Sequence, residues 1–121
     1  VGTKNTEASS PLPTFRESPP VQLEWDMKLW WPQCETMIAA RLAYALFGKE
    51  TYQKLYQDTE KYCQEYFIDK NHGEWYGYLH YDNTTSTTLK GNIFKGPFHI
   101  PRLYMIMALL DSGASMETYM Q

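Results

Sequence analysis

The stretch Lys95-Gly96-Pro97-Phe98-His99-Ile100-Pro101-Arg102 holds the residue types best suited to chemistry. Gly96 and Pro97 make a loop that delivers His99 to the first turn of an apolar helix. Pro101 suits that turn, because its φ is preset and no helical N–H is lost there. A histidine at a helix N-terminus feels the positive end of the macrodipole, which favours neutral imidazole, the form that accepts a proton. Arg102, in the same first turn, could hold an anion or an oxygen-rich ligand. A plainer reading stays open, in which Pro101 starts a core helix and His99 only caps it.

Two helix starts must come together for such chemistry. Pro32 sits at the start of a first helix, and Cys34 to Phe47 carry helical spacing. Cys34, Ile38, Leu42 and Ala45 form one side, with Met37, Arg41 and Tyr44 beside it, and Gly48 is a fitting stop. A second helix runs from about Thr51 to Phe67, with a stripe of Tyr52, Leu55, Tyr56, Thr59, Tyr62, Cys63, Tyr66 and Phe67. So short a connection as Gly48-Lys49-Glu50 makes the pair antiparallel. A third helix, from about Pro101 to Asp111, is apolar nearly all round and needs cover on every face. If the chain keeps going up and down, the third helix is parallel to the first. Their N-termini then share one rim, with Trp31, Gln33 and Glu35 from one and His99 and Arg102 from the other. An indole, an amide, a carboxylate, an imidazole and a guanidinium make a polyol-binding pocket with an acid–base group in it. Two independent helix caps would give the same residues, since Glu is favoured in a first turn.

Between the helices, Glu74 to Tyr81 alternates, with Trp75, Gly77 and Leu79 on one side and Tyr76, Tyr78 and His80 on the other. That period of two predicts a strand, and Ser86 to Leu89 a return strand after the turn Asp82-Asn83-Thr84-Thr85. His72 and His80 read as surface residues. Residues 1–20, rich in Ser, Thr and Pro, read as a loop or disordered lead-in. Val21 to Trp31 forms a dense apolar and aromatic approach to the first helix.

The bulk properties bound the function. A chain of 121 residues with 43% hydrophobic residues suits one small domain. A net charge of -3 with no basic run argues against nucleic acid as the main partner. No apolar run reaches membrane-spanning length and no signal-like segment opens the chain, so a soluble protein is expected. The two cysteines, Cys34 and Cys63, both fall in helical patterns and read as core residues in a reducing compartment, with no disulfide framework or metal site. Aromatics at 16% suit a sugar or small-ligand pocket, or simply fill a helical core. The start at Val1 reads as a fragment or a processed piece.

Three blocks then carry a resemblance: Lys28-Leu-Trp-Trp-Pro-Gln-Cys-Glu35, Gly73-Glu-Trp-Tyr-Gly-Tyr-Leu79 and Leu89-Lys-Gly-Asn-Ile-Phe-Lys-Gly-Pro-Phe-His-Ile-Pro-Arg102. In this order and spacing they resemble the N-acylglucosamine 2-epimerase family, whose members are also called renin-binding proteins. The resemblance covers roughly residues 21–112. It implies an all-α fold in which residues 21–121 are the C-terminal portion of an (α/α)6 barrel with a small inserted β-hairpin. It implies interconversion of N-acetylglucosamine and N-acetylmannosamine, with a nucleotide such as ATP as activator and no consumed cofactor. A cytoplasmic homodimer, and renin as a protein partner, follow from the same resemblance. His99 then falls on one histidine of a catalytic pair, Glu35 on the family's essential glutamate, and Arg102 on the arginine after the last histidine. Inverting C2 removes a proton α to the C1 carbonyl and returns one on the other face, which two bases do more simply than one. Arg102 or a protonated histidine would stabilise the enolate-like intermediate, and Glu35 would orient an imidazole or bind hydroxyls. Gln33 stands where the family often has His, and an amide binds a sugar but shuttles no proton. No histidine of this chain matches the partner base. Two alternatives follow: a catalytically incomplete interaction or sugar-binding piece, and an epimerase for an unacylated sugar such as mannose or cellobiose.

Overall fold

The computed structural model describes residues 26–113. The lead-in over residues 1–20, the first part of the aromatic approach and the tail after Gly113 lie outside the described residues. In order come β1 (Lys28–Leu29), α1 (Trp30–Phe47), α2 (Glu50–Tyr66), β2 (Tyr78–Leu79) and α3 (His99–Asp111).

Helix α1 starts two residues before Pro32. The N–H groups of a first turn have no intrahelical acceptor, so a proline within that turn interrupts nothing. The N–H of Trp30 donates instead to Gly77 O at 3.0 Å. At the other end Gly48 adopts φ 64° and its N–H donates to Tyr44 O, the left-handed cap that glycine favours. Trp30, Cys34, Met37 and Ile38, at helical spacing, enter the core. Ala45, expected on this buried side, is exposed, as are Leu46 and Phe47 at the end of the helix.

Helix α2 runs back along α1. The rings of Phe47 and Tyr52 are 6.2 Å apart, the Arg41 guanidinium lies 5.4 Å from the Tyr56 ring, and Cys34 and Cys63 are buried in one core. Tyr56, Tyr62, Cys63, Tyr66 and Phe67 face this core as the stripe predicts, whereas Leu55 stays exposed. Lys54 and Asp58 pair at i, i+4 on the solvated face. Helix α3 lies on α1 in the same direction: His99 meets Glu35 near the two starts, and Asp111 meets Arg41 further along. Leu103 and Met107 are its buried residues, one turn apart. Tyr104, Met105 and Leu109 are exposed, so the all-round apolar helix is covered on one face only by the described residues.

The hairpin expectation needs correction. Trp75, Gly77 and Leu79 are buried and alternate with more exposed neighbours, as the period of two requires. The regular ladder, however, joins β2 to β1, antiparallel, with Lys28 opposite Leu79 and Leu29 opposite Tyr78. The return segment gives only an isolated bridge, Leu79 to Thr85, beside the Ser86 N–H donated to Tyr78 O. Alternation marks an extended segment with one buried face, but it does not name the partner strand. The result is a mostly helical fold of three helices and a small two-strand sheet.

Candidate active site

The site forms where α1 and α3 begin. Trp31 and Glu35 are one turn apart on α1 and share a face. Helix α3 starts at His99, two residues earlier than the proline suggests, with Phe98 before it and Arg102 one turn along. His99 Nδ1 donates to Glu35 Oε1 at 2.7 Å, and Arg102 Nη2 donates to the same oxygen. The side chains of His99, Arg102 and Glu35 are 27%, 32% and 35% exposed, so the trio is held yet open to a ligand.

The electrostatics fix the roles available. The Arg102 hydrogen bond, reinforced by the one from His99 and opposed by burial, holds the Glu35 carboxyl below its usual range. An ionised carboxylate only accepts, so Nδ1 is assigned a proton, and in a neutral imidazole the lone pair then lies on Nε2. The helix terminus acts on this ring as the sequence implies, and the tertiary structure brings the Glu35 carboxylate within hydrogen-bond distance of it. Aromatic rings surround the imidazole: Phe98 at 4.9 Å, Trp31 at 5.9 Å and Trp30 at 6.3 Å between centroids. The Arg102 guanidinium lies 5.1 Å from the Phe98 ring, a cation–π arrangement. Its Nε is buried and has no partner among the described residues. An open cleft of about 310 Å³, lined by Leu29, Trp30, Trp31, Tyr78 and Phe94, adjoins the trio through Trp31.

Four of the five residues singled out from the sequence therefore stand together: Trp31, Glu35, His99 and Arg102. Gln33 is half-buried at the same helix end, but no hydrogen bond among the described residues ties it to the trio. Two residues along a helix is about 200° of rotation, which turns Gln33 away from Glu35. Trp30 and Phe98 went unremarked as site residues. Their signal was adjacency, since each directly precedes a residue that was singled out. His72 and His80 are exposed, as expected. Among the described residues no group of three or more His, Cys, Asp or Glu is placed to hold a metal ion. No described helix is long and apolar enough to cross a membrane.

An imidazole hydrogen-bonded to a carboxylate, flanked by a guanidinium and by the exposed indole of Trp31, makes an open polar cluster at the start of two helices in a mostly helical protein. The sequence pattern of N-acylglucosamine 2-epimerase (GlcNAc 2-epimerase) matches residues 12–99, and the chain belongs to this family. The match reaches back into the segment read as a lead-in and stops short of Arg102, whereas the resemblance ran over residues 21–112. N-acylglucosamine 2-epimerase of Bos taurus is 45% identical over 83 residues, which are 69% of this chain and 20% of that protein. The Homo sapiens N-acylglucosamine 2-epimerase is 43% identical over 100 residues, covering 78% of this chain and 23% of that one. Among solved structures, a D-mannose isomerase superimposes with a TM-score of 0.63 at 29% identity, over 68% of this chain and 21% of its own. The chain thus spans about a fifth of the length of these curated relatives.

Proposed function

We propose that this chain is the C-terminal portion of an (α/α)6-barrel sugar 2-epimerase that interconverts N-acetylglucosamine and N-acetylmannosamine. The observation that carries the reading is the hydrogen-bonded cluster of Glu35, His99 and Arg102 in a member of this family. In the open-chain sugar the C2 proton is acidified by the C1 carbonyl. His99 Nε2 takes that proton, and its electron pair moves into the C1–C2 bond and onto O1. Glu35 holds the ring in the tautomer that leaves Nε2 free and stabilises the imidazolium that forms. Arg102 donates to the developing enolate oxygen. Trp31 lies against one face of the sugar. A second base from the rest of the barrel returns a proton on the opposite face. Family membership also favours a cytoplasmic homodimer, a nucleotide such as ATP as an activator that is not consumed, and renin as a protein partner.

The test is proton exchange at C2. The protein is incubated with N-acetylmannosamine in D₂O, with and without ATP, and deuterium at C2 is followed by NMR. Exchange that falls by roughly 10²–10⁴ in His99→Gln is expected for a working base. Undiminished exchange in that variant would remove His99 from the mechanism. A second reading rests on His99 being the only imidazole in this cluster among the described residues: alone, the chain binds sugar without inverting it. Exchange without N-acetylglucosamine would favour that reading. Preference for D-mannose in a substrate panel would move the substrate to an unacylated sugar.

A further inference from the structure

Lys95 and Asp69 are the buried charged residues among the described ones, and the Lys95 side chain is 3% exposed. Its ammonium meets three acceptors: Glu74 Oε1 at 2.9 Å, Glu74 Oε2 at 2.8 Å and the Lys90 carbonyl at 2.6 Å. A buried ammonium is tolerated only when its donors are met in this way. The backbone of Lys95 is held too, since its N–H donates to Asn92 Oδ1 at 2.8 Å and its carbonyl accepts from Asn92 N at 3.3 Å. Its stem closes over Gly77, where a Cβ would sit 2.9 Å from Lys95 Cδ and 3.6 Å from Trp30 Cε3.

The partner, Glu74, adopts φ 63° directly after Gly73 at φ 72°. A left-handed glutamate is held there by its surroundings, a pattern found where geometry serves function. Residues 90–98 have no helix or strand, and Ile93, Phe94 and Phe98 are largely exposed, so apolar burial does little to fix this loop. Lys95 instead joins the loop to the Glu74 turn and closes over Gly77, which also lies against Trp30, the first residue of the helix carrying Glu35. It stands four residues before His99.

We infer that Lys95, clamped by Glu74, is a positioning residue: it fixes the loop ahead of α3 and so sets the hydrogen bond between His99 and Glu35. The inference rests on the reading of His99 as the base. Lys95→Met keeps the apolar stem and removes the charge. Misplacement of a reacting group by about 1 Å can cost roughly 100-fold, so kcat for N-acetylmannosamine falls about 10- to 100-fold with KM nearly unchanged. With isotope-labelled histidine, the His99 ring nitrogens, assigned by their loss in His99→Gln, shift toward the values of a free imidazole. The double variant Glu74→Gln/Lys95→Met has no orphaned charge and separates positioning from stability. It regains the wild-type melting temperature but not kcat. The inference is overturned if Lys95→Met keeps wild-type kcat and His99 signals, or if the double variant recovers kcat along with stability. A wild-type protein that never epimerises the sugar would defeat the functional reading alone, because the His99 signals still decide whether Lys95 positions the ring.

Discussion

The three helices and the irregular segment between α2 and α3 are held in place by different forces. Where the helices meet, Cys34, Met37, Cys63, Phe67, Leu103 and Met107 interdigitate with little polar contact. The segment from Asp69 to Phe98 sends Trp75 and Leu79 into that core and packs Tyr76 and Tyr78 against it, and it adds buried charged anchors, which the helical core lacks among the described residues. Buried Asp69 accepts from the Asn71 and His72 N–H groups and from Lys90 Nζ, while Lys90 Nζ also donates to Gly73 O. Lys95 bridges to Glu74 five residues on. Outside the short β2 ladder this segment has no regular repeat of backbone bonds, and charged side chains join its turns to one another. The helical region is therefore sensitive to volume, and the loop region to charge. The site straddles the two, since α1 supplies Glu35 and the loop delivers His99.

The largest effect should come from the helical side. Phe67 is fully buried, and Phe67→Ala should cost about 3–5 kcal/mol of unfolding free energy. Denaturant titration measures it; a loss below about 1 kcal/mol would mean that the core is looser than its burial implies. Glu35→Gln should act the other way round. It removes a charge-assisted hydrogen bond from a partly exposed site, so stability changes little. Turnover should fall about 10- to 100-fold through loss of imidazole orientation. Equal losses of stability and turnover would place Glu35 in the scaffold rather than in the site.

Acid should separate the regions more finely. The Lys90 hydrogen bond, joined by the Asn71 N–H and opposed by burial, holds the Asp69 carboxyl well below its usual range. Glu35 is lowered likewise, chiefly by Arg102. A lowered folded-state pKa gives stability that is complete above the unfolded value, about pH 4, and is lost as pH falls toward the folded one. Below about pH 4 the amides of Asn71, His72 and Lys95 should therefore lose exchange protection before those of α1 and α2. Simultaneous loss across both regions would merge them into one cooperative unit. The smallest expected effect is none at all. Burial pushes the Cys34 and Cys63 thiols up to about 12, so iodoacetamide at about pH 8 should leave both unlabelled until the protein is denatured. Native labelling at the rate of a free thiol would show that the helical core opens readily.

The helices were legible in the sequence because periodicity is a local signal. Trp30, Cys34, Met37 and Ile38 repeat at helical spacing, and Gly48 marks the stop. The ends were less legible. Pro32 and Pro101 each suggest a helix start, yet both helices begin two residues earlier, because any place in the first turn suits a proline. Leu55 and Ala45 carried the right character on surfaces that found no partner. The short first connection, with the chain continuing up and down, implies the shared rim of Glu35, His99 and Arg102, and the same reasoning brings Gln33 to that helix end although helical rotation turns it aside.

Amino-acid types and their order were enough to determine the helices, the antiparallel first pair and the one-sided burial of Trp75, Gly77 and Leu79. All of these follow from spacing along the chain, which a sequence records directly. Only the tertiary structure decided that β2 pairs with β1 in place of Ser86–Leu89, that one Glu35 oxygen serves both His99 and Arg102, and that Lys95 is buried against Glu74 and Gly77. Those pairings join residues far apart in sequence. Hydrogen-bond partners of that kind are chosen by which groups packing leaves within about 3 Å of one another, and no local pattern encodes that choice.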